Sequence, residues 1–506
     1  MGVIHGSYWL ASDEAVAQPA VTDDIEVEVA VVGGGIAGIC TAWELARRDR
    51  QVALVEAGRI LSGTTGHTTA KLTALHTLIY SRLTAGVGRD AARRYAQAQQ
   101  HAIGTVAETV ADLQIDCDFE RRAAYTYARS VDGLDRIRAE VDSARSAGLP
   151  AEFVTSTGLP FPIAGAVRVA EQAQFHPVRY LRALVGDLVG RGGQVCENSR
   201  VTRLDSGRWH RLIVPGQGTI SADQVVVATG FPVFDRISVY SRLKPRRELV
   251  LAAPIAPDRD PDGMFITPED NTRSVRTTPY LGGGRLLLVT GEPSRPGAAG
   301  GSERRDRLAD WAGREFGVES IAYWWAAQDN TTTDRLPFVG RLPRGGGRIW
   351  VATGFGGWGM TNGAMAGSLL ADLITGKAAP PWAALFDPHR IHPRAEAPVF
   401  LSKAMSDMRD FVTDRLSPAG ADAIAGIRPG HGAVVRLGRQ LCAVYRDDSG
   451  QPHALAATCT HLGCIVGFND AERTWDCPCH GSRFGVDGTV LNGPAVRPLE
   501  PRELDQ

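Results

Sequence analysis

The sequence predicts an α/β domain built on a β-α-β unit and carrying an antiparallel β subdomain, followed by a small all-β domain. Three observations predict it. The stretch "IEVEVAVVGGGIAG" reads as a β-rich strand from Ile25 to Val32, a glycine turn and a helix from about Ile36 to Arg47, and "QVALVEAG" supplies a second strand. β-Branched and alternating runs from Gln194 to Val214 and from Leu249 to Val289 read as a separate antiparallel sheet. From about residue 420 the chain changes to short strands and turns.

Size and composition agree with that division. At roughly 150 residues per domain, 506 residues make about three folding units. With 43% hydrophobic and 22% charged residues the chain can bury a sizeable core, which excludes wholesale disorder. The 55 basic and 56 acidic residues nearly cancel, so nothing draws the chain to nucleic acid or an anionic membrane. The N-terminus has no basic stretch followed by an apolar run. The most apolar segment, Val27 to Leu45, is interrupted by four glycines, Glu28 and Glu44, so no membrane span is expected and a cytoplasmic location is.

Taken in order, residues 1–24 are expected as an N-terminal tail and 25–390 as the first domain. Within it, residues 90–148 look largely helical, with Tyr95, Ile103, Val106 and Val110 forming a stripe. Turn-rich loops fall at 256–263, 291–301 and 343–348, and the chain returns to the nucleotide fold at "IWVATG". The proline-rich stretch 387–398 reads as the exit from that domain. Residues 391–419 form a linker in which Leu401, Met405, Met408, Val412 and Leu416 recur at helical spacing, and 420–506 form the last domain. Cys40, Cys117, Cys196 and Cys442 are scattered and read as small buried hydrophobes. The other four cysteines crowd into one stretch, which suggests metal.

Gly33, Gly35 and Gly38 have the GxGxxG spacing, which lets a chain turn sharply and bring backbone amides against a pyrophosphate at a helix N-terminus. The motif follows a strand, opens a helix and has Glu56 eighteen residues after Gly38, placed to accept from a ribose hydroxyl. A dinucleotide is therefore expected. No second such unit exists, and Gly282 to Gly284 precede a strand rather than a helix, which argues against a nicotinamide cofactor.

Two later segments specify which dinucleotide. "DQVVVATGF" is a strand ending in Thr229 and Gly230, and "RIWVATGFGGWGMTNGAMAGSLLADLITG", preceded by "DNTTTDRLPFVG", runs from strand through glycine loop into helix. With the first glycine loop, these resemble the FAD-dependent oxidoreductases of the D-amino-acid oxidase, glycine oxidase and sarcosine oxidase superfamily over about residues 25–390. The resemblance implies a Rossmann-like FAD-binding domain with a substrate subdomain. Gly354, Gly357, Met360 and Thr361 become candidate flavin contacts, with Val201 a further one. In "SGTTGHTTAKLTALH", Thr64, Thr65 and Lys71 are either phosphate or ring contacts or part of a polar surface loop. His67 is open between covalent attachment of FAD, which some members of this superfamily achieve through a histidine in a similar loop, and an ordinary hydrogen-bonding histidine. His176, ahead of Pro177, reads as a helix-start residue, and Lys244 and Arg246 read equally as substrate-carboxylate ligands or as a charged loop.

The C-terminal cluster reads Cys459-x-His461, fifteen residues, Cys477-x-x-His480. Zinc is the alternative, since two Cys and two His make a tetrahedral site, but zinc sites rarely pair Cys and His one residue apart. "CTHLGC" with "CPCHGS" resembles the Rieske iron-sulfur domain over about residues 420–502. That resemblance implies a 2Fe-2S cluster with Cys459 and Cys477 on one iron, His461 and His480 on the other, and a disulfide between Cys464 and Cys479. "NGPAV" (492–496) resembles the proline loop over such a cluster. Ser482 matches a serine that donates to a cluster sulfur, whereas Phe484 stands where respiratory members carry a tyrosine hydroxyl, which implies a lower potential.

Together these imply a flavoenzyme with its own electron outlet. Hydride from a small amine or amino-acid-like substrate would reach FAD, and single electrons would pass through the cluster to an external acceptor or carrier. The catalytic residues are not legible. One alternative is a redox sensor or electron carrier without turnover at the flavin. Another is a Rieske-type oxygenase, for which the nearest acid and histidine group is Asp387, His389 and His392 in the exit loop.

Overall fold

A computed structural model describes residues 3–14, 16–234, 239–342, 348–396 and 421–504. The β-α-β unit forms as expected: strands Ile25–Val32 and Val52–Val55 pair in parallel, joined by helix Ile36–Ala46. Every residue of that helix is buried, because it lies between the sheet and helix Gly359–Ile374. The second helix approaches closely through its small residues. A Cβ at Gly367 would stand 2.5 Å from the Cβ of Cys40, and one at Gly363 2.6 Å from Ile36.

The nucleotide sheet runs Phe338–Arg341, Ile349–Thr353, Gly218–Gly230, Ile25–Val32, Val52–Val55, Gln194–Cys196, with all but the first strand parallel. Here one expectation is corrected. Residues Gln194 to Val214 do not belong to the second sheet: Gln194–Cys196 extends the parallel sheet, and the hairpin of Arg203–Asp205 and His210–Val214 attaches to Gly218–Gly230. The reason is helix Pro177–Gly190 just upstream, which makes the following strand a crossover partner and so parallel.

The second sheet has ten strands and is mostly antiparallel, centred on Leu243–Ile255 between Tyr323–Thr332 and Arg285–Ser294. Its two parallel pairings are Met264–Ile266 with Glu120–Ala128 and Ile4–His5 with Tyr323–Trp324. Strand Glu120–Ala128 interrupts the stretch expected as helical, between helices Arg89–Asp112 and Leu134–Ser146. It is recruited as a strand by Gly165–Gln174, a partner too distant in sequence to leave a local trace. The N-terminal segment is likewise packed rather than a free tail. Trp9 is fully buried, and its Nε1 donates to the Thr68 carbonyl at 2.7 Å. One short helical turn, Tyr8–Ala11, has no periodicity from which that docking could be read.

The last domain has two four-stranded sheets. One contains Gly432–Leu437, Gln440–Arg446, Pro452–Ala456 and Pro501–Arg502, and the other Gly467–Asn469, Thr474–Asp476, Arg483–Phe484 and Val490–Asn492. This domain sits on the first one. Asp470 accepts from Gly301 N and Ser302 N at 2.8 and 3.1 Å, capping helix Gly301–Phe316 where its dipole favours an anion. Gly297 and Gly467 bring the two backbones together: a Cβ on Gly467 would lie 2.4 Å from the Gly297 oxygen. The connector helix expected within 391–419 lies outside the described residues. Among the described residues, no helix is long and apolar enough to cross a membrane.

Candidate functional site

Residues of both large sheets line a cavity of about 670 Å³, inside the ~300–1,000 Å³ range of small-molecule sites. It begins at the Gly33–Gly35 turn. Gly33 has φ +114°, and a Cβ there would meet the Ala228 oxygen at 2.5 Å, so only glycine fits. Gly38 does not line the cavity. It lets helix and turn close on each other, since its Cβ would fall 1.9 Å from the Gly33 oxygen. Gly35 caps helix Ile36–Ala46 with no side-chain cap, which leaves a helix N-terminus facing the cavity. The Glu56 carboxylate is fixed on the wall by Gly34 N and Gly58 N, at 2.7 and 3.0 Å.

The cavity ends at a second helix N-terminus, that of Gly359–Ile374, which also has no side-chain cap. Gly354 has φ +77°, and a Cβ there would stand 2.4 Å from the Thr332 methyl. A cavity between two helix N-termini, with a carboxylate beside the first, fits a dinucleotide whose pyrophosphate meets one end and whose ring meets the other. Of the expected contacts, Gly33, Gly35, Glu56, Thr64, Thr65, Lys71, Val201, Thr229, Gly230, Gly354, Gly357 and Met360 line it. Thr361 does not. Its hydroxyl donates to the Thr73 oxygen at 2.9 Å and accepts from Thr73 N at 3.0 Å, pinning the loop that carries Lys71. His67 does not line the cavity either: its Nδ1 hydrogen-bonds with the Gly63 carbonyl at 2.8 Å, and its own carbonyl accepts from Trp325. His176 caps helix Pro177–Gly190. Lys244 is exposed away from the cavity, whereas Arg246 is on its wall, paired with Glu248 at 2.8 Å.

Sequence reasoning missed Arg82, Arg200, Asp329 and Arg335, all on the wall. They come from separate elements and share no motif. Asp329 accepts from Gly357 N and Asn330 N, both at 2.7 Å, and burial pushes its carboxyl up to about 6. Lys71 donates to the Phe265 carbonyl at 2.7 Å and to Ser274, and burial, reinforced by Arg276, brings it down to about 7. Asp329 is therefore charged above about pH 6 and neutral below it. A small carboxylate such as benzoate is expected to bind the holoprotein several-fold more weakly as pH rises through that value. Titration read on the flavin spectrum checks this, and Asp329→Asn should remove the step near pH 6 while leaving that of Lys71 near 7.

In the last domain, Cys459 and Cys477 are each 2% exposed and close enough to hydrogen-bond, which holds the Cys459 thiol below its usual value. The His461 and His480 rings stand beside them with centroids 5.1 Å apart. Two tight turns present these groups: Gly463 N donates to the Cys459 oxygen and Gly481 N to the Cys477 oxygen, both at 3.0 Å. Cys464 and Cys479 form a disulfide that joins the turns. The Ser482 hydroxyl hydrogen-bonds to Cys459 and accepts from Ala495 N at 3.0 Å, tying the 492–496 loop over the site. Two soft thiols and two imidazoles on disulfide-locked turns fit a 2Fe-2S cluster.

The two sites face each other. Phe231, two residues after the cavity-lining Thr229, packs edge-on against His461 and His480 at 6.0 and 5.5 Å, and Tyr240 does so at 6.5 and 5.4 Å. Val490 to Gly493, Ala495 and Val496 of the last domain form part of the cavity wall itself. Elsewhere, Asp387 and His389 pair at the surface, and His392 bonds to Asp334, whose carboxylate is already occupied by Arg390 at 2.8 Å. That group reads as an ion-paired brace.

Comparison with known proteins agrees with both sites. Residues 28–373 match the family described as FAD dependent oxidoreductase (DAO), and residues 421–502 match the Rieske [2Fe-2S] domain. The Bacillus subtilis protein YhfW, named for a Rieske 2Fe-2S iron-sulfur centre, is 35% identical over 99% of this chain and 98% of its own. The cytochrome b6-f complex iron-sulfur subunit of Synechococcus sp. (strain JA-3-3Ab) is 52% identical over 48 residues, 10% of this chain and 28% of that protein. Glycine oxidase from Geobacillus kaustophilus shares the fold with a TM-score of 0.61 at 22% identity, over 72% of this chain and 99% of that one. L-Proline dehydrogenase from P. horikoshii does so with a TM-score of 0.60 at 17% identity, over 72% and 98%.

Proposed function

Since the chain belongs to the DAO family of FAD-dependent oxidoreductases and ends in a Rieske [2Fe-2S] domain, we propose that it oxidises a small amine or amino-acid-like substrate and passes the electrons through its own cluster to an external acceptor. Bound FAD would supply hydride acceptance, and the bound cluster single-electron transfer. The observation that carries the reading is the shared wall: the 490–496 segment of the Rieske domain lines the flavin cavity, and the cluster histidines pack on Phe231 and Tyr240.

The chain's own groups suit such a substrate. Lys71 and Asp329 offer the inner wall an amine and a carboxylate for a substrate nitrogen. Arg82 and Arg335, neither with a carboxylate within 4 Å among the described residues, offer guanidinium forks to a substrate carboxylate. The Rieske loop closes one side of the cavity and excludes water there.

Anaerobic holoprotein mixed with a panel of amines and amino acids tests this. Expected is bleaching of the flavin absorbance by one class of compound, followed by the EPR signal of the reduced cluster. If no compound bleaches the flavin while a protein donor reduces the cluster, the chain is an electron carrier instead.

A further inference from the structure

Gln328 and Asp329 are neighbours in strand Tyr323–Thr332, so their side chains leave opposite faces. Asp329, like Ala327 and Thr331, lines the flavin cavity, and its carboxylate holds Gly357 N at 2.7 Å. Gln328 faces the Rieske domain. Its Nε2 donates at 2.7 Å to the carbonyl of Gly481, the residue after the cluster ligand His480. Its Oε1 accepts from Arg247 at 3.3 Å, and Arg247 in turn pairs with Glu472, which also pairs with Arg483 at 3.0 Å. The fit is close: Gly481 has φ +76°, and a Cβ there would lie 2.4 Å from Gln328 Nε2.

We propose that Gln328 is a positioning residue for electron transfer between the two cofactor sites, its amide holding the His480–Gly481 segment at a set distance from the flavin cavity. The proposal rests on the intramolecular transfer proposed above. Electron transfer rates fall steeply with separation, and a donor already oriented by Arg247 fixes that separation without reorganisation. Docking of the domains does not depend on this one amide. Asp470 on helix Gly301–Phe316 and the Arg200 bond to the Val490 carbonyl, at 3.2 Å, remain without it. Gln328 hydrogen-bonds the backbone of the ligand loop itself, beside His480.

The experiment uses full-length holoprotein, with the flavin photoreduced anaerobically by a deazaflavin and sacrificial donor, so that no substrate is needed. Flavin reoxidation and growth of the cluster EPR signal are followed in wild type, Gln328→Ala and Gln328→Glu. The glutamate variant keeps a partner for Arg247 but cannot donate to the Gly481 carbonyl. Both variants are expected to slow flavin-to-cluster transfer by roughly tenfold, the scale on which supporting residues around metal sites act, with FAD content and cluster g-values unchanged. Transfer at the wild-type rate in both would overturn the proposal. So would loss of the cluster from Gln328→Glu, which would make the contact one of assembly rather than position. If wild type itself shows no transfer from flavin to cluster, the intramolecular reading fails instead.

Discussion

Cys477→Ser is expected to abolish the EPR signal of the reduced cluster while leaving the flavin absorbance at its full amplitude. Cys477 is 2% exposed in a core shared with Trp475, Phe484 and Ala495, and it forms no part of the cavity wall. A hydroxyl is a poor iron ligand compared with thiolate, and it cannot leave the site for another partner. Most of the flavin cavity is built on the first domain, whose core packs apart from that of Cys477, so its loading is expected to survive. With a reducing substrate, the variant flavin should bleach once and then stall, because its electrons have lost their exit. A variant that also sheds FAD would show that the Rieske loop at 490–496 is needed to keep flavin in the cavity, and the two sites would not be separable.

Gly38→Val is expected to yield protein with no bound FAD and a stability lowered by about 3 kcal/mol or more. The added Cβ, whose position the backbone fixes, would fall 1.9 Å from the Gly33 backbone oxygen, so no side-chain rotation relieves the clash. Helix Ile36–Ala46 would have to lift from the turn, opening the contact that presents its N-terminus to the pyrophosphate. The flavin-to-protein ratio after purification, with denaturant titration of the apoprotein, reads both effects. Gly104→Ala in helix Arg89–Asp112 is the control. Its Cβ would meet nothing within 4 Å, so it should retain flavin and full stability.

The two cofactor motifs were legible for different reasons. GxGxxG and Glu56 sit in one β-α-β unit, and the contact that demands glycine at 38 is with Gly33 five residues away, whereas the one that demands glycine at 33 is with Ala228 on the adjacent parallel strand. The Rieske ligands lie on two short turns whose hydrogen bonds are local, so residue type and spacing carry the chemistry directly. Arg82, Asp329 and Arg335 could not be read in this way. Each is an ordinary charged residue until helix Ile79–Gly86, strand Tyr323–Thr332 and the turn that follows it meet at the same wall. Lys71 was noticed as a polar loop residue, yet burial and Arg276, about two hundred positions away, lower its affinity for a proton, and Phe265 and Ser274 accept its hydrogen bonds.

By itself, then, the sequence determined the nucleotide-binding unit, the candidate cluster ligands and the division into a flavin part and an all-β part, because each is written in short-range spacing and periodicity. Only the tertiary structure decided that Gln194–Cys196 joins the parallel sheet, that residues 4–11 pack into the fold, and that His67 is not among the residues lining the flavin cavity. It also decided which face of the Rieske domain meets the flavin, through Phe231, Tyr240, Gln328 and Arg247. The physical reason is that the sheet, N-terminal and interdomain contacts join segments far apart in the chain. They are selected by shape and charge across more than a hundred residues of chain, and no local pattern encodes such a match.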